Sequence, residues 1–250
     1  MFRSSLLVLM MHLTALLHGQ VVNIEGRRFD DNDTSAWKGF LGFKFNAGEN
    51  TQRFYDLGLN IGVRHLWRHK HRLFLFTDYT VSRVEDNAFQ NRGFQHLRYN
   101  YAYDKRWTGE AFVQTLYNKP LLLDLRFTMG AGPRLRVVDS EHYRMYIASL
   151  LMYEHELTTP GEILNDGRSS SYVSGFLRFT EMAELGAAVY YQPRLFDASD
   201  HRIAIESRLV MRFTRRYQFE MRLNLLKDTA QPEGAPAISY KWENAFTVVL

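Results

Sequence analysis

Tyr55, Leu57, Leu59, Ile61 and Val63 alternate with Asp56, Gly58, Asn60, Gly62 and Arg64, and this period of two recurs along the chain. Successive side chains of a strand point to opposite faces, so each such stretch reads as a strand with one apolar face. The pattern returns at Leu73-Leu75-Thr77-Tyr79-Val81, at Tyr143-Met145-Ile147-Ser149-Leu151-Tyr153 and at Tyr217-Phe219-Met221-Leu223-Leu225. A helix would need apolar residues three and four apart, and these segments lack that spacing. Twelve stretches qualify, at 37–46, 53–64, 72–82, 92–103, 107–117, 121–135, 142–155, 170–180, 184–192, 201–213, 216–226 and 237–249. In none of them does the apolar register carry Asp, Glu, Lys or Arg.

Strand length narrows the fold further. Most of these stretches run ten to thirteen residues, against about five or six in soluble sheets and about 9–11 for a tilted strand that crosses a membrane. Aromatic residues make up 14% of the chain, yet the mean hydropathy is only −0.32. After residue 20 no stretch approaches the roughly 18 apolar residues of a spanning helix. A barrel wall escapes hydropathy averages because every second residue faces its interior. The expectation is all-β: a transmembrane antiparallel up-and-down β-barrel of about twelve strands. A soluble sandwich is the opposing fold, with its charged face toward water.

The chain begins with Arg3, an apolar stretch from Leu6 to Leu17 interrupted by His12, and Gly19 before Gln20. That order resembles a secretory signal peptide at 1–19, too short to anchor the chain. An N-terminal periplasmic segment is expected at 20–36 and the outer-membrane barrel at 37–250. Cysteine is absent, so there is no lipoprotein acylation site and no disulfide framework. Removing Arg3 with the leader leaves 30 Lys and Arg against 27 Asp and Glu, lowering the formal charge from +4 to +3. So weak a basic balance, without basic-aromatic tracts, does not argue for nucleic acid.

The connections give an orientation. Arg83 to Asn91, Leu157 to Ser169, Pro193 to Asp200 and Lys227 to Pro236 read as long loops on one side. Asp104 to Arg106, Glu181 to Ala183 and Thr214 to Arg215 read as tight turns on the other, the asymmetry of outer-membrane barrels. Trp37, Tyr103, Trp107, Tyr143 and Tyr217 gather at the tight-turn end, where amphipathic rings settle at a membrane boundary.

The two registers divide the residues by partner. Leu57, Leu59, Ile61, Leu123, Leu125, Ile147, Leu209 and Leu223 are expected to face lipid. The other register holds Asp56, Arg64, Asp78, His96, Arg98, Glu110, Asp124, Arg126, Arg144, Arg178, Glu206, Arg208, Glu220 and Arg222, expected to line the interior. Counting all strands, that register carries twelve bases and nine acids. Near balance implies pairing between neighbours, with Arg126 and Arg144 approaching Glu110 and Asp124.

Gly130, Gly132 and Pro133 have no following helix, so they read as a bulge or bend rather than a phosphate cradle. His65, His69 and His71 match no closed zinc-site spacing and sit among cations, which reads as a solvated turn. His96, Arg98 and Asn100, opposite Glu110 and Gln114, form the best interior constellation. On the outward register Ser149 and His155 lie about 20 Å apart along one strand, which is no catalytic set. No catalytic residue, metal site or cofactor is expected, and a lipid-active enzyme is a distant alternative.

Specific strings go beyond alternation: V-V-N-I-E-G at 21–26, W-K-G at 37–39, F-Q-H-L-R-Y-N at 94–100, F-V-Q-T-L-Y-N-K at 112–119 and G-A-G-P-R-L-R at 130–136. Together they resemble the salt-induced outer-membrane-protein-like family, domain of unknown function 481, in its Bacteroidetes-type version. The resemblance implies an outer-membrane barrel inserted by the assembly machinery, with no assigned reaction. The expected protein is therefore an integral outer-membrane barrel with an envelope- or stress-related role, in contact with lipid and monomeric. A narrow diffusion channel with slight anion preference is the alternative.

Overall fold

Twelve antiparallel strands follow one another in a single sheet, each hydrogen-bonded to its neighbours in the sequence, from β1 to β12 without a crossover. The computed structural model describes residues 35–49, 53–84, 87–159, 161–214, 217–231 and 234–248. The leader at 1–19 and the segment before Ser35 lie outside the described residues. The strands are β1 (Trp37–Glu49), β2 (Arg53–Trp67), β3 (His71–Val84), β4 (Asn87–Ala102), β5 (Trp107–Asn118), β6 (Leu123–Asp139), β7 (Tyr143–Thr158), β8 (Ile163–Thr180), β9 (Ala183–Arg194), β10 (Asp197–Arg212), β11 (Tyr217–Asp228) and β12 (Ile238–Val248). No helix among the described residues is long and apolar enough to cross a membrane.

The sheet is rolled with its charged register inside. Arg126 on β6 lies 3.9 Å from Asp228 on β11, and the Tyr172 hydroxyl of β8 donates to Glu110 of β5 at 2.6 Å. In a flat sheet β6 and β11, five strands apart, would be separated by about 24 Å, and β5 and β8, three apart, by about 14 Å, so the first contact lies beyond the reach of its side chains unless the sheet curls. Burial agrees: Arg168 is 1% exposed while Leu151, on the opposite register, is 67% exposed. This inverts the arrangement of a soluble core, in which charge stays outside.

The interior is not uniformly polar. Phe74, Phe76, Phe94, Leu116, Leu121 and Leu123 form one buried apolar cluster. Ala148, Leu150, Tyr172, Ala188, Tyr190, Ala204 and Leu226 form a second. Leu123 was expected to face lipid, and its place in the first cluster corrects that. The ladder slips between Leu116 and Asn118 on β5 and between Leu123 and Leu125 on β6. One extra residue there reverses the facing of its neighbours. Asp124, expected inside, consequently turns toward the rim and bonds Lys119 Nζ at 2.5 Å and Thr159 Oγ1 at 3.0 Å.

Two further expectations change. The long loops are mostly strand: β8 starts at Ile163 rather than at 170, and only Leu195 and Phe196 separate β9 from β10. The turn-length asymmetry therefore shrinks to the β11–β12 connection. Gly130 to Pro133 makes no bulge, since the register holds from Ala131 to Arg134. A Cβ on Gly132 would lie 2.2 Å from the Ser149 carbonyl oxygen, so glycine is there to let β7 approach closely.

The rim where β1 begins, the near rim, carries an aromatic row that is exposed at Trp37 and half-buried beyond it. Trp37 stacks on His65 at 4.0 Å, His65 on Trp67 at 5.2 Å and Trp67 on His71 at 5.2 Å, and His71 meets Tyr101 at 5.0 Å. Tyr103, Trp107, Tyr143 and Tyr217 are exposed at the same level. His65 and His71 thus belong to a ring stack, and no group of three or more metal-binding side chains forms among the described residues.

The β4–β5 turn at this rim is capped by Asp104. Its Oδ1 accepts from the backbone N–H groups of Trp107 and Arg106, each at 2.7 Å. Those bonds, Trp107's first, hold the carboxyl below its ordinary value of 3.8. A carboxylate depressed by folding stabilises above its unfolded value and loses that contribution as pH falls through the folded one. Protection of the Arg106 and Trp107 amides, taken relative to their intrinsic exchange rates, is expected to fall only on acidification below 3.8. Protection unchanged down to about pH 2 would remove the cap from the account of this turn.

Candidate functional site

Parity along the strands places charge at the centre of the rolled sheet, and six consecutive strands, β6 to β11, supply the largest set of it. Arg126 of β6 donates from Nε to Glu156 Oε2 at 2.7 Å and lies 3.7 Å from Glu154 Oε2. Arg202 of β10 donates to Asp228 at 2.5 Å and to Glu156 at 3.2 Å, and also pairs with Glu154. Arg168 of β8 donates to Glu154 at 3.1 Å and meets Asp200 at 2.8 Å. Arg194 closes the set on Asp166 at 2.8 Å. Four arginines thus meet five carboxylates (Glu154, Glu156, Asp166, Asp200, Asp228), tying β6 through β11 together. Each carboxylate at the centre has at least two cationic neighbours, which offsets the desolvation of so many charges.

A second constellation lies nearer the near rim. Glu110 accepts from Asn100 Nδ2 at 3.1 Å, from Arg134 Nη1 at 3.4 Å and from the Tyr172 hydroxyl, and Arg98 Nη1 lies 3.6 Å away. His96 Nδ1 bonds Gln114 Oε1 at 3.0 Å while Arg98 Nε points at His96 Nε2 at 3.4 Å. An oxygen acceptor on one ring nitrogen and a donor on the other assign a neutral imidazole with its proton on Nδ1. The ring lies parallel to Phe112 at 5.4 Å and to Phe94 at 5.9 Å. The structure therefore brings His96, Arg98, Asn100, Glu110 and Gln114 together.

Between the two constellations is a cavity of about 40 Å³, lined by His96, Arg98, Phe112, Gln114, Arg126, Thr128, Glu154, Ser170, Tyr172, Tyr190, Gln192 and Arg202, with Leu116, Leu150 and Met152. That volume holds about three waters.

The remaining interior candidates sit on smaller pairings. Asp56 accepts from Ser82 at 2.9 Å and from Lys44 at 2.5 Å, and Asp78 accepts from Asn60 at 2.7 Å. Arg208 makes a two-pronged contact with Glu220, both bonds at 2.9 Å, and Arg222 shares that carboxylate. Arg144 and Arg178 lie over the Phe176 ring, at 5.4 and 5.9 Å. Arg64 is buried and donates to the Ser35 carbonyl at 2.8 Å. Glu206 is half-buried opposite Asn224 and Ala188. The structure redirects the anticipated pairings of Arg126 and Asp124: Arg126 goes to Glu156, and Asp124 lies at the rim on Lys119 and Thr159.

On the outer register Leu57, Leu125 and Ile147 are exposed, and Leu59, Ile61, Leu209 and Leu223 are half-buried. The outward Ser149 bonds Ser171 at 3.1 Å, and His155 bonds Asn165 at 2.8 Å.

Sequence reasoning missed Glu156, Arg168, Arg202 and Asp228. Glu156, Arg168 and Asp228 fell beyond strands drawn too short. Parity could have found all four, because each lies in the same register as Glu154, Glu206 or Leu226 on its own strand or hairpin.

The family model described as "Protein of unknown function, DUF481" matches residues 40–240. The chain belongs to the DUF481 family. Every strand that contributes to the DUF481 interior described above falls within the matched residues or overlaps their ends. No curated protein matches this DUF481 chain. Among solved structures, it is similar to one described as "NanC porin structure in rhombohedral crystal form" at 9% identity, covering 86% of this chain and 98% of that one, with a TM-score of 0.49.

Proposed function

We propose that this DUF481 chain is an integral outer-membrane β-barrel whose interior is held shut by its ion-pair clusters. It serves the envelope as a lipid-embedded wall element with a stress-related role, and carries out no reaction. The inversion of burial is what carries this reading: apolar side chains such as Leu151 point outward while Arg64, Arg168 and Glu154 are sealed within. Water rewards the opposite arrangement, and lipid rewards this one. The aromatic row at the near rim matches a membrane boundary. In this reading the leader at 1–19 is removed on export, the assembly machinery inserts the chain, and it works as a monomer in contact with outer-membrane lipid.

A narrow channel leaning toward anions is the second reading, favoured by Arg144, Arg178 and Arg212 facing inward at the near rim with Glu184. Planar-bilayer recording separates the two. The closed barrel is expected to give no current steps at any salt or voltage. Discrete, anion-selective steps from the purified chain would replace it with the channel.

A further inference from the structure

The cavity between the two charged constellations is more than a packing defect. Thr128 is 3% exposed and lines the space, and its Oγ1 is buried without a hydrogen-bond partner. Buried hydroxyls are almost always bonded, so an orphan beside a cavity points to something that occupies it. Neighbouring groups offer hydrogens to the same space. Ser170 Oγ accepts from Gln192 Nε2 at 3.0 Å, which leaves the Ser170 hydroxyl proton to donate. Gln114 uses its oxygen on His96, which leaves its amide nitrogen to donate.

The charges are arranged in the same sense. Arg98, Arg126 and Arg202 line the cavity, whereas their partners Glu110, Glu156 and Asp228 do not. Glu154 is the one lining carboxylate, and Arg126, Arg168 and Arg202 surround it. Three of the four ionised residues that line the cavity are thus arginines, the fourth, Glu154, stands opposite Thr128 on the ladder with three arginines around it, and the Thr128 and Ser170 hydroxyls and the Gln114 amide can donate. An acceptor-only ligand fits such a surface.

We propose that this cavity is a binding site for a small monatomic anion of the halide class, with Thr128 Oγ1 as a direct donor. The site would be present in a barrel that conducts nothing, so it stands apart from the bilayer test above.

The test uses the full chain folded in detergent, with sodium chloride titrated against sodium gluconate at constant ionic strength. Binding is read from the excess linewidth of the chloride-35 NMR signal and from the thermal midpoint. Wild type and Thr128→Ser are expected to broaden the signal saturably and to melt higher in chloride. Thr128→Val keeps the shape but removes the donor, and is expected to weaken chloride by about tenfold or more, the scale of one hydrogen bond to a charged partner. Ser170→Ala supplies a second donor deletion with the same expected direction if the valine variant does not fold. Equal behaviour in chloride and gluconate, or broadening that survives both deletions in folded protein, would overturn the site.

Discussion

Replacing Arg202 by methionine is expected to destabilise the chain by about 3–5 kcal/mol, the cost of leaving buried charge without its partner. Arg202 is 3% exposed and serves Glu154, Glu156 and Asp228 at once. Its removal leaves Arg126, Arg168 and Arg194 to hold a set in which carboxylates already outnumber arginines. Methionine keeps the apolar stem out to about the position of Nε, so the loss reports on the guanidinium rather than on the stem. Urea unfolding in lipid vesicles measures it, and a change below about 1 kcal/mol would mean that water already screens the cluster. Combining Arg202→Met with Asp228→Leu is expected to recover part of the loss, because removing both members of a buried pair is far cheaper than removing one. The double variant also probes closure: if the cluster seals the interior, weakening it should produce current steps in a bilayer where the wild type is silent.

Leu151→Arg tests the outer face. Leu151 sits midway along β7, between Ala131 and Ser169 on the neighbouring strands, and is 67% exposed. Arginine at so open a site on a water-soluble sheet costs within about 0.5 kcal/mol. At the midplane of a barrel wall it costs about 2–4 kcal/mol. Leu151→Ile controls for loss of the side chain's shape. An arginine variant as stable as the isoleucine one, in vesicles, would put this face in water and end the membrane reading.

Much of this architecture could be read from the chain because one regularity, alternation, dictates both strand and facing. Tyr55 to Arg64 shows it without interruption, and that stretch lies in β2 with Leu57 exposed and Arg64 buried. The reading failed where alternation was blurred. At Leu73-Phe74-Leu75-Phe76 both faces are apolar, which concealed an aromatic cluster inside. At Leu123 and Asp124 a one-residue slip exchanged inside for outside, and nothing local in the sequence announces such a slip. Around Arg168 the outward residues are Asn165, Gly167 and Ser169, too small and polar to look like a wall, so a strand passed for a loop. The interior constellation of His96, Arg98, Asn100, Glu110 and Gln114 was legible because its members lie on adjacent strands. The cluster around Arg202 was not, because Glu154 and Glu156 come from β7, three strands away from β10, and meet Arg202 only once the sheet is rolled, while Asp228, opposite it on β11, lay past the end of a strand drawn too short.

That last distinction separates two timescales. Every ladder joins strands adjacent in sequence, so hairpins can pair in succession with little loop to close at each step. The contacts from Tyr172 to Glu110 and from Arg126 to Asp228 bridge 62 and 102 residues of chain, the latter being 228 minus 126, and they span the interior. They form after the hairpins, when the roll is nearly complete. Interactions absent from the folding transition state slow unfolding and leave the folding rate almost untouched. The contacts across the roll therefore act as a latch fastened last, and what they confer on the chain is a long residence time in its folded form.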